Sequence, residues 1–127
     1  MEKGFIPEQC VLWKKQKIEE SDVSMSNFDN IKTYIDTNHF WRYLLKCKEC
    51  GQLYFFEFKE DVNWSNEGNG NDYQYSTWIP IAPNITESLK YKSPLELLDP
   101  ALTPRIQSDL TPYHRDEAHW VGRDITN

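Results

Sequence analysis

The side chains here best suited to a soft metal ion are the three cysteines and three histidines, and two of the cysteines stand in a Cys47-x-x-Cys50-Gly51 turn. At the tip of a hairpin such a turn is the geometry of a zinc knuckle, in which two thiolates converge on one ion. Completing a tetrahedral site takes further donors, and the chain offers Cys10, His39, His114 and His119. The His114-x4-His119 spacing falls within the range of Cys2His2 sites, but a 63-residue gap separates Cys50 from His114, so tertiary folding would have to unite them. The plainer reading is a turn with two small, partly exposed thiols, a polar surface segment holding the two C-terminal histidines, and Cys10 as a small buried apolar residue. No cofactor is expected unless these donors close on zinc.

Other chemistries find less support. A redox Cys-x-x-Cys leads into a helix whose N-terminus lowers the thiol pKa, whereas Tyr54-Phe55-Phe56-Glu57-Phe58 after this pair reads as a strand. His114-Arg115-Asp116-Glu117-Ala118-His119 is not the H-E-x-x-H arrangement, and there is neither a G-x-S-x-G elbow nor a glycine-rich phosphate loop. A non-enzymatic protein is expected.

A second constellation is acidic and aromatic. Glu57, Glu60, Asp61, Glu67 and Asp72 are interleaved with Trp64, and Tyr73, Tyr75 and Trp78 follow, while Lys59 is the one base between Glu57 and Tyr75. A solvated loop explains such a stretch without invoking function. The sharper reading is a partner-binding surface, because large aromatics anchor interfaces while like-signed carboxylates around them steer a basic partner. The net charge of −6 agrees, and it disfavours direct contact with nucleic acid, whose affinity for proteins comes from lysine and arginine.

At 127 residues the chain is the size of one ordinary domain, and with 14% aromatic residues it has the apolar area for a core without disulfide staples. No apolar run approaches the roughly 20 residues of a membrane helix, and the first ten residues lack the apolar core of a secretory signal. A cytoplasmic protein that does not engage a membrane is the expectation. An odd number of cysteines, two of them only three positions apart, argues against a secreted disulfide framework.

The elements that must position these groups follow from periodicity. Phe40 to Glu60 reads as a hairpin in which Trp41, Tyr43 and Leu45 share a face with Tyr54, Phe56 and Phe58. Upstream, Ser26 or Asn27 caps an expected amphipathic helix over Phe28 to Asn38, with Phe28, Ile31, Tyr34 and Ile35 at three- and four-residue spacing. Downstream, the residues from Asp61 to Asp72 make a long hairpin loop, and Tyr73 to Ile81 a third strand. Asn84 or Thr86 begins a short helical segment, Ser93-Pro94 another, and His119 to Gly122 could add a short edge strand. Residues 1–24 read as a peripheral extension and 25–127 as a single domain. The fold class is α+β: an antiparallel sheet of three or more strands, one amphipathic helix packed on it, and short C-terminal helices.

The expected helix Phe28 to Asn38, the run from His39 to Phe58, and the acidic aromatic loop leading into Tyr75-Ser76-Thr77-Trp78-Ile79-Pro80 together resemble small acidic immunity proteins of bacterial toxin systems. These include the partners of contact-dependent growth-inhibition toxins, and the likeness covers residues 25–123 in general layout. The resemblance implies a protein that binds a secreted toxin domain, commonly a basic nuclease, and blocks its active site or substrate groove. It supplies no catalytic residue. The alternative from another class is a zinc-knuckle adaptor or nucleic-acid-associated module.

Overall fold

A computed structural model describes residues 5–15, 17–61, 73–90, 92–97, 103–110 and 115–122. Its frame is a six-stranded antiparallel sheet whose strands lie side by side in chain order: β1 (Phe28–Asp36), β2 (Phe40–Cys47), β3 (Leu53–Asp61), β4 (Tyr73–Ile81), β5 (Arg105–Leu110) and β6 (Arg115–Val121). The hairpin read from the sequence is β2–β3, and the third strand is β4. The remaining described elements are short: α1 (Val11–Lys14), α2 (Pro94–Leu97) and 3-10 turns at Glu20–Val23, Met25–Asn27 and Pro83–Lys90. The architecture is mostly β. Ser93 caps α2 as its sequence suggests, its Oγ accepting from Leu95 N at 3.2 Å while its own N–H reaches Glu96 Oε2 at 2.7 Å.

The expected helix over Phe28 to Asn38 is instead β1, a strand at the sheet's edge. Its pairing with β2 slips between Asn30 and Lys32 and again between Thr33 and Ile35, so the apolar residues fall out of the strict two-residue alternation. Two bulges in a strand thereby imitate a helical period. Ile31, which a helix would have turned toward the core, is 52% exposed. The β-branched Ile31, Thr33 and Ile35 suit an extended edge, and Asn27 spends its amide on Ser21 O and Asp22 O rather than on a helix start.

Register lines up one face of the sheet as Tyr43, Phe56, Trp78, Ile106 and Trp120 across β2 to β6, with Leu45 and Tyr54 one row along. This face is covered by the N-terminal segment, which buries Cys10, Leu12, Ile18 and Val23 in the same cluster. The other face presents Leu44, Phe55, Ile79 and Ile81, covered from the 3-10 turn and α2 by Leu89, Ile85 and Leu95.

Of residues 1–24, read from the sequence as a peripheral extension, the described ones pack on the sheet. Within them, Cys10 is fully buried, Trp13 meets Trp120 edge to face at 4.9 Å, Trp120 Nε1 donates to Leu12 O, and Ala118 N donates to Glu20 Oε1. The segment's apolar residues carry no sustained period because it follows no single helix or strand. It is nonetheless one of the two covers of the sheet.

Candidate metal centre

The β2–β3 connection is tight. Cys47 N donates to Gln52 O and Gly51 N to Cys47 O, at 2.9 and 2.8 Å, and Gly51 sits at φ +76°, a left-handed conformation that glycine adopts without penalty. The turn folds Cys50 back toward Cys47. From the other side of the seam, Cys10 arrives at the start of α1, its own amide bound to Pro7 O and its carbonyl accepting from Trp13 N and Lys14 N. The three sulfurs of Cys10, Cys47 and Cys50 all lie within 4.8 Å of one another.

Nearby backbone amides favour the charged form of each thiol. Leu12 serves Cys10; Cys50 and Glu49 serve Cys47; Gln52 and Val11 serve Cys50. Tyr54, itself fully buried, donates its hydroxyl hydrogen to Cys10 Sγ at 2.9 Å. Burial pushes the Cys10 thiol up to about 12 against the Tyr54 hydroxyl and the Leu12 amide, and it raises Cys47 as well. For Cys50 burial acts upward too, but the Gln52 amide, the neighbouring sulfurs and the Val11 amide outweigh it and hold this thiol below its usual value. Burial likewise lifts the Tyr54 phenol, which stays a donor. Three thiols this close could bind a metal ion such as zinc, because the donors are soft.

No protein-family model, curated protein or solved structure matches this chain.

The thiol cluster differs from the donor set that spacing suggested. Cys47 and Cys50 belong to it, and the third sulfur is that of Cys10. His119 lies on β6 with Nδ1 2.7 Å from Glu117 O, and His39 pairs with Glu60 at 2.9 Å; neither is in the thiol group. His114 lies outside the described residues. Cys10 carries no local sign of its role, since only the packing of the N-terminal cover brings it to the turn.

The acidic aromatic set is divided between the two faces of the sheet. Glu57 lies on the face of Leu44 and Phe55, where one carboxylate oxygen accepts from Arg42 Nε and Nη2 at 3.1 and 3.0 Å. Tyr75 and Tyr73 alternate onto that same face, both half-buried, and Asp61 there is 3.8 Å from Lys59. Glu60 points to the opposite face, between Gln74 Nε2 and His39 Nδ1, and these two partners hold its carboxyl below the usual range. Trp64, Glu67 and Asp72 lie outside the described residues.

On the face of Glu60 the hairpin forms an aromatic run absent from the acidic set. Trp41 and Tyr43 stack with ring centroids 6.1 Å apart, Phe58 lies 4.6 Å from Trp41, and all three are half-buried. The Tyr43 hydroxyl interacts with the Asp36 carboxylate, which, after burial, keeps the phenol raised. The alternation of the hairpin announced this row; the local charge count hid its acidic neighbours, because Asp36 belongs to β1.

Proposed function

We propose that this chain is a non-enzymatic immunity protein that binds and neutralises a basic toxin domain, a nuclease being the partner its charge fits best. The observation that carries the reading is the half-buried row Trp41, Tyr43 and Phe58, with Asp36 and Glu60 beside it. Large aromatics that keep part of their area open are the usual anchors of an interface, and carboxylates at their rim favour a positively charged surface over other partners. The acid excess of the chain works in the same direction at longer range. Glu57 contributes less, since Arg42 already neutralises it. Affinity capture from the source cell, followed by an activity titration of the captured protein, tests the reading. A basic toxin domain inhibited at one equivalent supports it, whereas a captured partner without toxic activity, or one still active at saturation, sinks it.

A second reading is favoured by the thiol group: a zinc-knuckle module in which Cys10, Cys47 and Cys50 hold a structural zinc ion. The two readings are compatible, because a structural ion supports the sheet that presents the aromatic row. Elemental analysis of the purified, reduced protein tests this one. One zinc per chain, lost in Cys47→Ser, is the expected result; metal-free protein with a full complement of thiols would remove it.

A further inference from the structure

Resting on the metal reading just given, we infer that the ion held by Cys10, Cys47 and Cys50 acts as a clamp between the N-terminal cover and the sheet, so that its occupancy sets how firmly the cover stays closed. The donors come from two separate pieces of chain: Cys10 from the cover, Cys47 and Cys50 from the β2–β3 turn. An ion bridging them joins the two. The bond from Lys48 N to Asn27 O, at 3.0 Å, continues the β1–β2 pairing past Phe28 and Cys47, while the bonds to Ala118 and Trp120 fasten the cover at β6. A cleft of about 320 Å³ lies beside the seam, and its lining includes Val11, Leu12 and Asp22 of the cover and Cys47 and Glu49 of the turn.

The all-sulfur donor set selects a thiophilic ion of the zinc class over magnesium or calcium. With three sulfurs as its protein ligands, a zinc-class ion would take its remaining donor from solvent. On binding, the thiols give up their protons to solvent. Tyr54 is a positioning residue, reaching the ion only through Cys10 Sγ. What the clamp protects is the apolar face beneath the cover, where Leu45, Tyr54, Phe56 and Trp78 lie.

The test uses the full reduced chain and adds Zn²⁺, or Co²⁺ as a coloured substitute, with and without a chelator. One ion per chain with thiolate-to-cobalt charge-transfer absorption is expected. With free ion at about 100 times Kd, amide exchange at residues 10–14 and at Tyr54 should slow by up to about 100-fold. Tyr54→Phe, which keeps the ring and removes the hydroxyl, should weaken ion binding by about 10–100-fold and diminish that protection at a fixed ion concentration. An ion that binds while leaving exchange at residues 10–14 unchanged overturns the clamp and spares the metal site. Binding in Cys10→Ser as tight as in the parent chain overturns the clamp by removing the cover's ligand, and a chain that binds no Zn²⁺ or Co²⁺ removes the metal reading itself.

Discussion

Tyr54 donates its hydroxyl hydrogen to Cys10 Sγ across 2.9 Å in the interior, and this bond joins the third strand of the sheet to a segment 44 positions earlier in the chain. Both residues are fully buried. A buried phenol and a buried thiol each need a partner, so the pairing stabilises the closed cover and disfavours its departure.

Deleting residues 1–24 should therefore abolish cooperative folding. The deletion uncovers Tyr54, Phe56, Trp78 and Ile106, and it removes the buried Leu12, Ile18 and Val23 that pack on them. Loss of several large buried side chains at about 2–5 kcal/mol each exceeds the net stability of most domains of this size. Thermal unfolding followed by near-UV circular dichroism checks it; a sharp transition retained in the truncated chain would show the sheet to be self-sufficient.

Phe56→Ala should destabilise the protein by about 3–5 kcal/mol in urea unfolding. Phe56 is 3% exposed, between Tyr43 at 6.0 Å and Trp78 at 5.1 Å, so truncation leaves a cavity that neighbouring rings fixed in their own contacts fill poorly. A loss under about 1 kcal/mol would mean the rings collapse into the space.

That Phe56 could be assigned to the buried face from sequence alone shows where legibility was good. In β2 and β3 the two-residue alternation is unbroken, and a short glycine turn fixes their register. β1 was illegible for the converse reason, because its bulges replace the strand period with one that suits a helix. β5 was missed because Arg105-Ile106-Gln107-Ser108 has little apolar content; Ser108 is buried only because its neighbours in the sheet demand a strand there. The thiol group was half legible. Cys47 and Cys50 are brought together by local chain, which spacing reveals, whereas Cys10 is delivered by the packing of Leu12, Ile18 and Val23, which spacing does not encode.

The cover should also be sensitive to acid through Asp22. Lys15 Nζ lies 2.6 Å from Asp22 Oδ1 and Glu19 N 2.8 Å from Oδ2, and these two partners, the lysine first, hold the carboxyl below its ordinary 3.8. A carboxyl lowered in the folded chain contributes stability that is whole well above 3.8 and is lost as the pH falls through the lower folded value. Asp22→Asn should thus melt at a lower temperature than the parent chain at neutral pH, with the two midpoints converging in strong acid. A gap that stays constant across the range would assign the effect to packing instead of charge.

For the binding surface, charge and aromatic area should separate in kinetics. Asp36 and Glu60 sit at the edge of the row formed by Trp41, Tyr43 and Phe58, so their fields act on an approaching basic protein before any contact forms. Reversing both to lysine should slow association and flatten its dependence on salt. Dissociation should change little. Trp41→Ala does the opposite: it removes the ring that touches both Tyr43 and Phe58, and should speed dissociation with a loss of at least about 2 kcal/mol if Trp41 is a central anchor. Circular dichroism of the free variants establishes that each keeps its fold, and Arg42→Met, on the opposite face, serves as the control that binds normally. An interface on that opposite face, around Tyr73 and Tyr75, would reverse the pattern: Arg42→Met would then alter binding, because it frees Glu57 beside them, while Trp41→Ala would not.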